Sequence, residues 1–342
     1  MVTIIDVARA AGVAPSTVSY VLNGKRPISE DTRRQVEECI RELGYRPPGR
    51  RTPTPRRRTG VLGLLAPLHA GANLTALTRF VSATMVAASA RGYDLLLFTH
   101  DTGMAGLRRA APAAVADALI VTGVQGSDPR IPALLALDRP VVLVGEPDRP
   151  TGLRCVDLDF GPAADRAVEH LANLGHRVVG LVGAPMAAYA RGTSYPRQFT
   201  RAFEAAAARS GIRVRRRPCG DSLEAIQSCL DALLIEEPGI TALVVENDIA
   251  LSGVLEQLRR RGRRVPEDIS VVAVCQEEKA ERSPIRLTSV AVPTGELGAL
   301  AVEMALRAVL GEGEHAPEVR RIMPGLTVRE STGPGPVTSS CA

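Results

Sequence analysis

From residue 61 onward, apolar runs rich in Val, Leu and Ile recur at 61–66, 94–98, 118–122, 141–145, 178–183, 242–246, 269–274 and 287–292. Between them lie Ala-rich stretches with helical character, among them 74–90, 162–174, 199–210, 223–235 and 249–261. This alternation is the tightest constraint in the chain. Continuous apolar runs of strand length must be covered on both faces, which predicts parallel sheets with helices packed on either side. The segment from 61 to 332 is too long for one such sheet.

The charge is uneven. Residues 1–60 carry twelve Lys and Arg against six acids, whereas the remainder is close to neutral, with 30 against 31. A basic head on a neutral body is the electrostatic pattern of a polyanion binder, although charge alone fits a solvated basic tail equally well. A length of 342 residues implies two or three domains. No apolar run reaches the roughly 18 residues of a membrane span. The N-terminus lacks the basic start and pure apolar stretch of a signal peptide. Six cysteines form no Cys-x-x-Cys pair, which favours reduced thiols in a cytoplasmic protein.

The head's pattern resolves its role. Thr3 and Asp6 suit a capping box, and Ile4, Val7, Ala8 and Ala11 follow at helical spacing until Gly12. Pro15 suits the first position of a second helix that buries Val18, Val21 and Leu22 and leaves Ser16, Thr17, Ser19 and Tyr20 outside. A third helix starts after Ser29 and buries Val36, Ile40 and Leu43 before Gly44. Two short helices around a Gly-containing turn, the second polar outside, describe a helix-turn-helix.

The stretch TIIDVARAAGVAPSTVSYVLNGKRPISEDTRRQVEECIRELGYRP resembles the DNA-binding head of the LacI/GalR family of bacterial repressors. Further similar segments are RPVVLVGE (139–146), VEHLANLGHRVVGLVGAP (168–185), END (246–248), RVPEDISVVAV (264–274), LTSVAVP (287–293) and LTVREST (326–332). The resemblance implies an all-α helix-turn-helix head plus an α/β core with the two-lobed, periplasmic-binding-protein-like fold and parallel sheets. It divides the chain into a head (1–46), a Pro/Arg-rich hinge arm (47–60) and an effector-binding and dimerisation core (61–332). Lobe one is expected at about 61–159 and 292–322, and lobe two at about 160–290 and 323–332. The tail 333–342 is Gly/Pro/Ser-rich and reads as disordered. It lacks a leucine heptad, which favours a homodimer.

Carried over by position, the family's base-reading residues fall on Pro15, Ser16 and Tyr20. Its phosphate contacts fall on Thr3, Thr17, Ser19, Asn23, Ser29 and Thr32. Hydroxyl and amide groups suit that task, because they position a head on phosphate oxygens without reading sequence. Ala14 replaces the family's usual capping Ser. Tyr20 replaces a common Arg and cannot make the bidentate contact to guanine; packing against the first helix is its alternative role. The hinge departs further. The family's minor-groove Leu is Thr54, between Pro53 and Pro55, and prolines oppose a helix here. Arg50, Arg51, Arg56, Arg57 and Arg58 then suit an extended arm that follows phosphates or lies in the minor groove.

The resemblance puts the effector pocket at Asn73, Leu74, Glu146, Tyr189, Arg191, Tyr195, Ser222, Asp248 and Cys275. Asp248, after the 242–246 run, is the leading candidate because a carboxylate accepts hydrogen bonds from a diol or an amine. Capping the following helix is its alternative. The family's ligand-clamping Arg is Tyr195 here, its strand-end Asp is Cys275, and its stacking aromatics are Asn73 and Leu74. The expected partners are operator DNA, a second copy of the chain and a small polar metabolite, without a membrane. No GxxxxGK, GxSxG or HExxH motif occurs, and the five histidines (69, 100, 170, 176 and 315) lack metal spacing. No enzymatic activity, cofactor or metal is therefore expected. Two other readings remain: a periplasmic solute-binding protein, opposed by the fused head, and a ligand-independent architectural DNA binder with a degenerate pocket.

Overall fold

The computed structural model describes residues 4–15, 17–18, 21, 28–42, 58–66, 68, 73–99, 115–311 and 317–336. It separates into two compact units, residues 1–58 and 59–342. In the first, α1 (Ile4–Ala10) and α2 (Glu30–Glu42) flank a helical segment that includes residues 15, 17, 18 and 21. Val7, Ala8, Ala11, Val18 and Val36 form its small core, with Val13, Val21 and Cys39 against it. The turn after α1 needs Gly12, whose φ of +59° is a left-handed conformation that disfavours a side chain. Ser29 Oγ accepts the Thr32 N–H at 3.3 Å and so caps α2.

The second unit holds two six-stranded sheets. The elements of the first are β1 (Val61–Leu65), α3 (Leu74–Ser89), β2 (Asp94–Phe98), β3 (Ala118–Val121), α4 (Ile131–Leu135), β4 (Val141–Val144) and β5 (Arg154–Leu158). The chain then enters the second sheet through α5 (Phe160–Asn173), β6 (Val178–Gly183), α6 (Met186–Ala190), α7 (Ser194–Arg209) and β7 (Arg213–Pro218). That lobe continues with α8 (Leu223–Glu236), β8 (Ala242–Val245), α9 (Leu251–Arg260), β9 (Ser270–Cys275), α10 (Glu277–Glu281) and β10 (Thr288–Ala291). Helix α11 (Thr294–Leu310) and β11 (Val319–Ile322) return to the first lobe, and β12 (Leu326–Thr327) closes the second.

The strand orders are β11-β5-β4-β3-β1-β2 and β12-β10-β9-β8-β6-β7. Within each sheet the order is the same doubly wound one, with a switch point beside the first strand, β1 or β6. Every pairing is parallel except β10 with β12. Each lobe's far edge is thus supplied by chain arriving from the other lobe. The chain crosses between lobes around residue 159, at 292–293 and at 323–325.

The strands are buried because they are almost wholly Val, Leu, Ile and Ala, as in β3, β4, β8 and β9. The edge strands β2, β7 and β11 differ, with side chains exposed or half-buried. In lobe one, α3 and α11 lie so close that a Cβ on Gly298 would sit 2.8 Å from Thr84 Oγ1 and 3.1 Å from the Phe80 carbonyl. One apolar core runs through both lobes and includes Phe160, Phe199 and Phe203. Phe160 meets Phe199 edge-on at 5.9 Å, and Phe199 stacks on Phe203 at 6.0 Å.

His176 is buried, with Nδ1 2.8 Å from Thr241 Oγ1 and Nε2 3.0 Å from Ser270 Oγ. Burial first, and His170 nearby, push its pKa down, opposed by the Gly333 carbonyl. The start of the tail is ordered rather than free: Gly333 N donates to Ser270 Oγ at 3.0 Å, and Gly335 N donates to the Leu174 carbonyl at 2.6 Å. A Gly/Pro sequence can follow a polar groove as readily as it can stay loose. Residues 337–342 lie outside the described ones.

Candidate functional site

The carboxyl ends of β3, β4, β5, β8 and β9 converge on a cavity of about 350 Å³ between the lobes of the core. In doubly wound sheets, ligands occupy this crevice because loops diverge there and leave backbone and side chains unpacked. Lobe one contributes Ala76, Leu77 and Phe80 from α3, Val124, Val144 and Leu158 from strand ends, and Leu297 from α11. Lobe two contributes Tyr195 at the start of α7, the Glu246-Asn247-Asp248 segment after β8, and Cys275 and Gln276 after β9. Gly145, at φ +113°, lets β4 turn away while a Cβ there would lie 3.2 Å from both Ser194 Oγ and Val124 Cβ.

The lobe-one loop in this cavity is fixed by a buried ion pair. Arg130 Nη2 lies 2.7 Å from Asp128 Oδ2, and both side chains are almost fully buried. Arg130 also donates to the Gly123 carbonyl at 3.1 Å, and Asp128 accepts the Gln125 N–H at 3.2 Å. Burial raises the Asp128 pKa, but the Arg130 contacts and backbone N–H groups together outweigh it and leave a net lowering. From this loop Val124 O accepts Ser194 N–H at 3.0 Å, and Gly126 N donates to Gly192 O at 3.0 Å, which ties lobe one to the start of α7.

Of the expected effector residues, Asn73, Tyr195, Asp248 and Cys275 meet at the cavity. Asn73 Oδ1 caps α3 by accepting the Ala76 N–H at 3.0 Å, while its amide donates across the cleft to Asp248 Oδ1. Asp248 does not cap α9, which begins at Leu251 without a side-chain cap. Lys279 Nζ stands 3.9 Å from Asp248 Oδ2. Burial raises the Asp248 pKa, with Lys279 and then Asn73 opposing. Tyr195 packs edge-on against Phe160 at 5.1 Å, so its ring is an aromatic wall of the cavity backed by the phenylalanine core. Burial, reinforced by Asp248 and other acids, pushes the Cys275 thiol up to about 12, which leaves it an uncharged packing group rather than a nucleophile.

The other expected residues are not among those lining the cavity, each for a visible reason. Glu146 is turned to Arg321, whose Nη2 lies 2.6 Å from its Oε2 and whose Nε lies 2.9 Å from the same oxygen. Ser222 caps α8 by accepting the Ala225 N–H at 3.1 Å. Tyr189 is one layer behind, its hydroxyl 3.4 Å from both Thr200 Oγ1 and Glu246 Oε2. Leu74 is 60% exposed on the first turn of α3. Arg191 ends α6, and the partners of Asp248 are Asn73 and Lys279.

Two carboxyls in the lining were missed by sequence reasoning. Asp157 ends up among backbone donors: its Oδ2 accepts the Glu146 N–H at 2.7 Å and its Oδ1 the Leu158 N–H at 2.8 Å. Glu246 is 3% exposed, and its Oε1 has no hydrogen-bond partner. Burial pushes its pKa up to about 8, against smaller opposing contributions from the Ala184 backbone, Tyr189 and Arg216. The only sequence signal was a Glu directly after the apolar strand ALVV.

In the head, Pro15 is exposed, Thr17 is half-buried, and Ser29 and Thr32 share a 2.7 Å hydroxyl contact at the start of α2. Thr3, Ser16, Ser19, Tyr20, Asn23, Arg50, Arg51, Thr54, Arg56 and Arg57 lie outside the described residues. Arg58, the last residue of the first unit, is exposed. Among the described residues, no group of His, Cys, Asp and Glu is placed to hold a metal ion. No described helix is long and apolar enough to cross a membrane.

A helix-turn-helix head fused to a two-lobed core with a cleft at its strand ends defines a DNA-binding regulator. Residues 3–48 match the family model for bacterial regulatory proteins of the lacI family, and residues 168–332 match a periplasmic binding protein-like domain. The chain is 31% identical over 319 residues to the HTH-type transcriptional regulator PtxS of Pseudomonas plecoglossicida, covering 91% of this chain and 90% of that one. It is 29% identical to the regulator MalR of Streptomyces coelicolor, across 97% and 96% of the two chains. Its fold matches that of a transcriptional regulator CelR–cellobiose complex with TM-score 0.68 and 27% identity, over 97% of this chain and all of that one. The lac repressor dimer bound to operator shares the fold at TM-score 0.69 and 23% identity, over 97% and 99% of the chains. The chain belongs to the LacI family of bacterial transcription regulators.

Proposed function

We propose that this regulator is a repressor that binds a near-palindromic operator as a homodimer and responds to a small metabolite in the interlobe cavity. The observation that carries the effector half is the cavity itself. It lies at the strand ends of both lobes, and Asn73 of one lobe bonds Asp248 of the other across it. A ligand competing for Asp248 changes the contacts that hold the lobes together, so it has the differential affinity needed to shift a two-state equilibrium. The related CelR structure contains cellobiose, which supports this cavity as the place where an effector acts. In the head, Pro15, Ser16 and Tyr20 are assigned to base edges. Thr3, Thr17, Ser19, Asn23, Ser29 and Thr32 are assigned to phosphates, and the arginines of 50–58 to the backbone or minor groove.

The test is selection of the preferred site from random DNA, followed by footprinting and release assays with a metabolite panel. A symmetric footprint over two half-sites supports the dimer, and protection of a single half-site overturns it. Tyr20→Ala should relax base preference, and Thr17→Ala should weaken binding to all sequences alike. Binding with a steep salt slope and no sequence preference would instead establish the architectural reading.

A further inference from the structure

We infer that the interlobe cavity takes a ligand that carries a protonated amine, seated on the Glu246 carboxylate, with a compact apolar body against Phe80, Leu77, Leu297 and Tyr195. This rests on the reading of the cavity as the effector site and adds the chemistry of its occupant. Three carboxyl groups line the cavity, Asp157, Glu246 and Asp248, and among the described lining residues there is no Lys, Arg or His. Two of the three are already engaged: Asp157 with backbone N–H groups, and Asp248 with Asn73 and Lys279. Glu246 is the one left over. It is 3% exposed and lines the cavity, with Oε1 unpartnered, the Tyr189 hydroxyl 3.4 Å from Oε2 and the Ala184 backbone N–H beside the carboxyl.

A buried carboxyl oxygen without a donor is costly, and a cavity beside it is where a donor can be supplied. Neutral hydroxyls could supply one hydrogen bond. A cation supplies the hydrogen bond and also compensates the charge that Glu246 takes on when it ionises in a low-dielectric wall. The remaining lining is largely aliphatic and aromatic, and the volume of about 350 Å³ is at the small end of ligand sites. That combination fits a single-ring or short-chain amine better than an oligosaccharide. Tyr195 adds an aromatic ring to the lining, and aromatic rings attract cations.

Proton coupling gives the inference a signature. Glu246 holds a proton at pH 7, because burial pushes its pKa up to about 8. Its charged or titratable surroundings are Tyr189 on α6, Tyr195 on α7 and Arg216 on β7, with Cys275 on β9 and Asp248 on its own loop in the same cavity lining. Arg216 is the one cation among these, and it is shared with Glu204 at 3.2 Å. Seating an ammonium group requires the carboxylate form, so binding releases the Glu246 proton. Affinity should rise by up to about tenfold per pH unit below pH 8 and level off above it.

The test uses the full-length protein and two probes of matched shape, phenethylammonium and neutral 2-phenylethanol, titrated calorimetrically from pH 6 to 9. The expected result is at least tenfold tighter binding of the ammonium at pH 8, proton release at pH 7, and loss of the preference in Glu246→Gln. Equal affinities for the two probes, or no binding of the ammonium, would overturn the amine assignment. So would a tenfold ammonium preference that survives in Glu246→Gln. Operator release assays with the metabolite panel separate the two proposals. A neutral effector whose action is lost in Asp248→Asn keeps the cavity as effector site and removes the amine. An effector whose action survives both Glu246→Gln and Asp248→Asn removes the cavity itself.

Discussion

The two walls of the cavity differ in how their charge is used. On the lobe-one side, Asp128 is locked to Arg130 and Asp157 to two backbone N–H groups, so both carboxyls hold the protein's own loops in place. On the lobe-two side, Glu246 has an oxygen with no partner, and Asp248 is bound to an amide from the opposite lobe. The first arrangement builds a wall. The second leaves binding capacity unspent at a cost in stability, which is the usual mark of a site shaped for something outside the chain.

Substitutions can break this contrast. The largest effect should come from Asp128→Ala, which strands the Arg130 guanidinium in a buried setting. We expect a loss of about 3–5 kcal/mol in urea unfolding, and a loss below about 1 kcal/mol would show that the pair does not set the lobe-one wall. Glu246→Gln should act in the opposite direction. The folded-state pKa is raised from 4.5 to about 8, so the unfolded chain releases this proton first and stability falls as pH rises through that window. The glutamine should therefore be more stable at pH 7.5 by roughly 1–3 kcal/mol and show a flatter stability profile between pH 5 and 8. Calorimetric melting across that range decides it, and an unchanged slope would count against an uncompensated Glu246.

Smaller effects sharpen the contrast. Gly298→Ala forces a Cβ against Thr84 and the Phe80 carbonyl, so α3 and α11 must separate. The expected cost is about 1–2 kcal/mol, read by thermal melting, and tolerance of the alanine would mean the lobe-one wall is softer than its packing suggests. The smallest change should follow Arg79→Ala. Its 2.7 Å pair with Glu278 links the lobes beside the cavity but is largely exposed. Unfolding should shift by less than about 1 kcal/mol, and that shift should shrink further in high salt.

Much of this architecture was legible because the strands that build it are nearly pure Val, Leu, Ile and Ala. The runs at 61–66, 118–122 and 242–246 became β1, β3 and β8 with little change in their ends. Strands β5 and β7 were not anticipated, since RCVDL and RVRRRP mix charge into short segments. The edge position of β7 tolerates that, and sequence alone does not announce edges, whereas β5 is internal and its Asp157 is met by the Glu146 and Leu158 N–H groups. Helix α11 was missed although it is one of the longer helices, because its 17 residues are buried on much of their surface and show no clear amphipathic stripe. The site divided along similar lines. Asn73, Tyr195, Asp248 and Cys275 came from the family pattern and meet at the cavity. Glu146, Ser222 and Arg191 came from the same pattern but are drawn elsewhere by an ion pair, a helix cap and a helix end. Glu246 was invisible for a different reason. Whether a strand-end carboxyl is paired depends on residues dozens of positions away.

The exchange of edge strands between the lobes has a consequence for how the chain is made. Strand β5 gains its outer neighbour only when β11, residues 319–322, has left the ribosome. Helix α11, which covers β3, β4 and β5, is also translated late. Lobe one, although begun first, therefore waits through the synthesis of nearly all of lobe two with one sheet face thinly covered and one edge open. Such a delay exposes apolar strands to mispairing. A ribosome-bound fragment ending near residue 160 should accordingly resist folding and be cut readily by protease, and protection of lobe one should appear only once residues up to about 330 have emerged.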